Sequence, residues 1–128
     1  MRLLLDTHAL LWWLAGDSRL PARTKRAIGD RRNEILVSAA SAWEVATKYR
    51  LGKLPGAGPL GVDFSGEIGR QGFTPLAITL EHAEVAGGLI GAHRDPFDRM
   101  LVAQARAERM AIVSNDAVFD DFGVPRVW

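Results

Sequence analysis

A chain of 128 residues with net charge +1, 24% charged residues and no cysteine has room for one domain, residues 1–128, that buries roughly two thirds of the surface its unfolded form exposes. This composition excludes a disulfide framework, a thiolate metal site and the overall charge signature of a nucleic-acid binder, so any such binding must rest on local patches. The N-terminus lacks the pattern of a signal peptide and no apolar run approaches membrane-spanning length, so a cytoplasmic location and no membrane partner are expected. The halves differ in charge. Residues 1 to 64 carry ten Lys or Arg against six acids (+4), and residues 65 to 128 carry six against nine (−3).

Leu3-Leu4-Leu5 has no polar alternation, as expected of a strand covered on both faces of a parallel sheet, and it ends in Asp6. Thr7 to Leu14 then reads as a helix, broken by Gly16-Asp17-Ser18. Pro21 opens a basic helix to about Ile28, and Glu34 to Val37 is a second buried strand. A helix follows over Ser38 to Leu51, with Trp43, Val45, Ala46 and Tyr49 as candidate packing residues and Gly52 as its stop. Residues 52 to 72 hold seven glycines and predict a loop with a short helix around Phe64 to Arg70. Phe73 to Ile78 is a third strand, placed toward a sheet edge by Pro75. Thr79 caps a helix through Ala86, and Asp95-Pro96 opens a strong helix to Arg109. Ala111 to Ser114 is a fourth strand, a short helix covers Ala117 to Asp121, and Arg126 to Trp128 is a candidate last strand. The alternation predicts an α/β fold with a central parallel β-sheet flanked by helices on both faces.

Four acids stand at strand-to-helix junctions or helix starts: Asp6, Glu44, Asp98 and Asp116. Each has a structural explanation. Asp6 and Asp116 can cap helices, Ser41-Ala42-Trp43-Glu44 matches a capping box, and Asp98 is the third helical residue after a cap at Asp95. Jointly they suggest more, because a parallel sheet gathers the carboxyl ends of neighbouring strands into one crevice. Two carboxylates about 4 Å apart repel by roughly 4 kcal/mol at an effective dielectric near 20, so either some are protonated or a divalent cation lies among them. All-oxygen ligation suits Mg2+ or Mn2+, and a carboxylate cluster holding such ions can hydrolyse a phosphodiester.

Four stretches carry a family resemblance: Leu4 to Leu14, Ser41-Ala42-Trp43-Glu44 with Leu51-Gly52-Lys53-Leu54, His93 to Ala105, and Ser114-Asn115-Asp116. On these the chain resembles PIN-domain proteins, specifically the VapC-type toxin ribonucleases of bacterial toxin and antitoxin pairs. Asp95-Pro96-Phe97-Asp98 with its alanine-rich helix is the most specific of them. The resemblance implies an endoribonuclease using Mg2+ or Mn2+, with Asp6, Glu44, Asp98 and Asp116 as metal-binding catalytic acids. It also implies RNA as substrate, a homodimer, and a small cognate antitoxin that blocks the acidic site. Ser114 stands where a Thr is frequent and keeps its hydrogen-bonding hydroxyl.

His8, His82 and His93 lack paired ligand spacing and read as supporting or surface residues. Asp95 reads as a supporting helix cap, and Arg94 and Arg99 as candidates to hold the scissile phosphate or to pair with Asp95 or Asp98. Trp12 and Trp13 lie about 100° apart on a helix, which makes one of them a candidate for lining a partner groove. Arg19, Arg23, Lys25, Arg26, Arg31 and Arg32 form either a solvated face or an RNA backbone contact. Residues 55 to 66 carry no usable motif. Two rival functions remain: a catalytically silent PIN-like interaction module, and a phosphatase with Asp6 as nucleophile, against which His8 stands where that motif requires a second Asp.

Overall fold

The computed structural model describes all residues from Met1 to Trp128. Five parallel strands form one sheet in the order β3-β2-β1-β4-β5, with β1 (Arg2–Leu5) at its centre, paired to β2 (Glu34–Ser38) on one side and β4 (Ala111–Val113) on the other. Strands β3 (Thr74–Leu76) and β5 (Arg126–Val127) close the edges. Pro75 therefore sits on an edge strand, where its missing N–H breaks no central ladder.

The leucine run explains the layering. Leu3 and Leu5 share a core with Ile35, Val37, Ala111 and Val113, while Leu4 points through the sheet to join Leu36 and Ile112. Both sides must be covered. On the first, α1 (Thr7–Ala15), α2 (Ala22–Gly29) and α5 (Phe64–Gln71) contribute Leu10, Ile28 and Ile68, and α3 (Ala39–Arg50) contributes Val45. On the second, α7 (Pro96–Glu108) contributes Leu101, Val102 and Ala105, with Phe119 and Phe122 from a 3-10 turn. Helix α6 (Leu80–Gly88) packs along α7. The expected α/β class with helices on both faces is observed.

Local chemistry sets the boundaries. Gly16 and Gly72 end α1 and α5 in the left-handed conformation, which a residue without Cβ adopts freely. Thr79 and His82 form a capping box on α6, and Asp95 accepts from the N–H groups of Phe97 and Asp98 at the start of α7. Two expectations fail, and a third is exceeded, since α5 is the short helix expected around Phe64 to Arg70 but has more order around it. The cap of α3 is Ser38, so Ser41 lies inside the helix and no capping box joins it to Glu44. Trp43, Ala46 and Tyr49 are exposed and stay outside the core, Trp43 at 63% with its ring edge-on to Phe97, because Ala40, Ser41, Glu44 and Val45 face inward instead. Residues 52 to 72 are more ordered than their glycines suggest: α4 (Pro59–Val62) precedes α5, and Ala57 and Leu60 reach the core.

Candidate active site

The switch in the sheet order, where the chain runs from β1 outward through β2 and β3 and then returns to β4 on the other side, leaves a crevice at the carboxyl ends of β1 and β4. A cleft of about 610 Å3 lies there, lined by Asp6, Thr7, His8, Trp12, Glu44, Lys48, His93, Asp95, Asp98, Asn115, Asp116 and Ala117. All four acids singled out in the sequence meet in this one cleft, together with Asp95.

Each acid reaches it from a different element. Asp6 follows β1 and caps α1, its Oδ1 accepting from the Ala9 N–H at 2.8 Å. It is buried, and desolvation pushes its pKa from 3.8 up to about 6, with the Ser114 side chain and the Ala9 N–H opposing the rise. No ion pair in the molecule involves Asp6. Glu44 projects from α3, buried, where Thr7 Oγ1 donates to its Oε1 at 2.6 Å and the Lys48 ammonium donates to its Oε2. Asp98 stands in the first turn of α7, with His93 Nε2 2.9 Å from its Oδ2. Its pKa is raised, first by burial and then by the neighbouring Asp95 charge, against the lowering hydrogen bond from His93. Asp116 is exposed at the end of the β4 loop and accepts from the Val118 N–H at 3.0 Å.

Neutralisation follows a route the sequence reading missed. Protonation and a divalent cation were the two options, yet the chain supplies its own cation at Glu44: Lys48, one turn further along α3. Contact with Glu44 raises the Lys48 pKa, so the ammonium stays charged. The signal was present as a Glu-x-x-x-Lys spacing, which puts both side chains on one helix face. Thr7 was also missed as an orienting residue, since its position reads as a helix start. Ser114 is fully buried, accepts from the Asp116 N–H at 2.9 Å and bears on Asp6.

The phosphate-holding reading of Arg94 and Arg99 is not supported. Arg94 is exposed outside the cleft, and Arg99 turns backward to donate to the carbonyls of Leu89 and of His93, the latter at 2.8 Å. Arg99 therefore braces the loop that carries His93. His82 is structural, buried between the Thr79 cap and Glu108, whereas His8 is exposed on the cleft rim beside Trp12. Trp12 lines the cleft, stacked under the Arg19 guanidinium at 4.8 Å and against Trp128 at 5.7 Å; Trp13 instead packs on Phe73 and donates to Gln71. Within the basic cluster, Arg19 pairs with Asp17 and Arg32 with Asp30, while Arg23, Lys25, Arg26 and Arg31 have no ion-pair partner.

As the side chains stand, no three acids or histidines are drawn together around a common point that would hold a metal ion. The donor chemistry nevertheless suits a hard cation: five carboxylates line one cleft, and of the two buried ones, Asp6 and Glu44, Asp6 has no cationic partner. Asp6, Glu44, Asp98 and Asp116 are the residues that could hold Mg2+ or Mn2+.

Comparison with known proteins agrees with this architecture. The Ribonuclease VapC16 of Mycobacterium tuberculosis is 46% identical over 63 residues, which are 49% of this chain and 43% of that protein, so less than half of the relative's length is spanned. Among solved structures, VapBC2 from Rickettsia felis bound to a promoter DNA fragment matches with a TM-score of 0.68 at 15% identity, covering 99% of this chain and 98% of that one. A toxin-antitoxin complex from Klebsiella pneumoniae matches with a TM-score of 0.62 at 19% identity over 98% and 95% of the two chains. FitAB bound to the IR36 DNA fragment matches at 0.56 and 17% identity over 98% and 93%. At such identities these structures share the fold. The family model of the PIN domain matches residues 3–125, and the chain belongs to that family.

Proposed function

We propose that this PIN-domain protein is a metal-dependent endoribonuclease and the toxin of a toxin-antitoxin pair, acting in the cytoplasm as a homodimer that a small antitoxin neutralises. The observation that carries the reading is the convergence of Asp6, Glu44, Asp98 and Asp116 on one cleft from four separate parts of the chain. Helix capping accounts for Asp6 and Asp116 but for neither Glu44 nor Asp98, whereas a site for charge accounts for all four. The partial likeness to a ribonuclease and the fold shared with toxin-antitoxin complexes support the same reading.

Bound Mg2+ or Mn2+ would supply an activated water and stabilise the leaving oxygen of a phosphodiester. The chain's own residues prepare for this. Thr7 fixes the rotamer of Glu44 by its 2.6 Å hydrogen bond, the Asp95 cap holds the first turn of α7 from which Asp98 projects, and Ser114 bears on Asp6 while bonding the backbone of Asp116. Lys48 is the only lysine or arginine lining the cleft, and so the residue suited to meet a phosphodiester's negative oxygens.

The test is cleavage of a mixed pool of structured and single-stranded RNA by the antitoxin-free protein with Mg2+, Mn2+ or EDTA, beside Asp98→Asn. Cleavage that needs the metal and disappears in Asp98→Asn is the expected result. Normal cleavage by Asp98→Asn overturns the mechanism, and a folded protein that cuts no RNA and binds no metal is an interaction module instead.

A further inference from the structure

The cleft is strongly acidic yet holds one permanent cation of its own. Glu44 has both oxygens engaged: Thr7 takes Oε1 at 2.6 Å and Lys48 takes Oε2. The two ends of the pair differ in environment, since the Glu44 side chain is 8% exposed and that of Lys48 is 35% exposed. The carboxylate is thus fixed from behind by a buried hydroxyl, while the ammonium covering its other oxygen arrives on a flexible stem from the open cleft. A lysine ammonium is a compact point charge with no fork geometry to satisfy, so it can leave an oxygen and re-form contacts elsewhere without rearranging the backbone. Charge balance gives it a reason to move. Asp6, Asp95, Asp98 and Asp116 line the same space, and a divalent cation entering it would compete with the ammonium for Glu44.

We propose that Lys48 is an exchangeable counter-cation of the carboxylate cleft: it holds Glu44 Oε2 in the metal-free protein, yields that oxygen to a divalent cation, and is then free to face a phosphodiester oxygen. The inference rests on the metal-dependent reading of the site. It differs from a static ion pair in one measurable respect, because metal binding to the wild type must first break the Lys48 contact, and that work is subtracted from the observed affinity.

The experiment measures Mn2+ binding by titration calorimetry and melting temperature with Mn2+ or EDTA, for the antitoxin-free wild type, Lys48→Met, Lys48→Gln, Lys48→Arg and a control, Lys53→Met, at an exposed lysine outside the cleft. Lys48→Met is expected to bind Mn2+ about twofold to fivefold more tightly, the size of effect that losing one partly exposed competing ion pair gives. Lys48→Gln falls between them, and Lys48→Arg binds no more tightly than wild type, because a guanidinium grips a carboxylate with two donors. Lys53→Met matches the wild type. The rise in melting temperature on adding Mn2+ is larger in Lys48→Met than in wild type, since in EDTA the variant lacks the pair and in Mn2+ neither protein has it. Unchanged Mn2+ affinity in Lys48→Met and Lys48→Gln, with equal losses of melting temperature in Mn2+ and in EDTA, makes Lys48 a structural partner only and overturns the inference. A wild type that binds no Mn2+, or binds it as well after Asp98→Asn, overturns the metal reading itself and the inference with it.

Discussion

Asp6 illustrates how a single residue can serve the fold and work against it. Its carboxylate caps α1, yet burial at the end of β1 raises its pKa from 3.8 to about 6. Between those values the folded chain keeps a proton that the unfolded chain has released, so the metal-free protein loses stability as pH rises through that window, and the full penalty applies above it. Asp6→Asn keeps a capping oxygen and removes the charge. It is expected to stabilise the protein in EDTA at pH 7 by roughly 2 to 3 kcal/mol, the size of a shift of about two pH units, and to change little at pH 4; denaturant melts at the two pH values check this. Thr7→Val tests the neighbouring contact. Leaving Glu44 Oε1 without its donor is expected to destabilise by about 1 to 3 kcal/mol and to lower RNA cleavage, read from melts and cleavage rates on the same preparation.

At the scale of elements, the N-terminal turn of α7 and the loop before it act as one bracket. Asp95 caps the helix, Arg99 ties the loop carbonyls of Leu89 and His93 to it, and His93 then reaches Asp98. Arg99→Gln is expected to loosen residues 89–93 without melting α7, seen as faster amide exchange in that loop alone, and to reduce cleavage by about tenfold through the displaced His93. The sequence reading placed α7 and its cap correctly because Asp-Pro followed by an alanine-rich amphipathic run is local chemistry. It misassigned Arg99, because a guanidinium that folds back on the loop six to ten residues away obeys loop geometry, not helix spacing. For α3 the error had a similar origin: Ser41 and Ser38 are both competent caps, and only the end of β2 decides which of them lies outside the helix. Strand β1 shows the opposite case. Leu4 alone enters the second core while Leu3 and Leu5 enter the first, so Leu4→Ala is expected to lower unfolding free energy by about 2 to 5 kcal/mol in a chemical melt.

For the whole molecule, charge separates by region: acids line the cleft, and unpaired Arg23, Lys25, Arg26 and Arg31 lie on and just beyond α2. Trp12 of α1, with the Arg19 guanidinium over its ring, lines the cleft. RNA affinity, measured with the Asp98→Asn protein in EDTA, is therefore expected to fall steeply between 50 and 200 mM salt, by roughly tenfold to a hundredfold for a few neutralised phosphates, and to flatten when Arg23, Lys25 and Arg26 are replaced by Ser. The layered α/β architecture was legible from sequence because hydrophobic periodicity and turn chemistry act over a few residues: three leucines need cover on both faces, and Gly16, Thr79 and Asp95 mark ends wherever they occur. The four acids were legible as a set because a parallel sheet brings strand ends together. Their partners were not. His93 on Asp98 and Thr7 between Ser41 and Glu44 depend on side chains from separate segments arriving within hydrogen-bond distance, whereas Lys48 on Glu44 is the i, i+4 spacing of a single helix. Sequence determined which charges share the cleft, since that is a matter of topology; tertiary structure decided which of them are already neutralised, since that depends on packing at the scale of a single hydrogen bond.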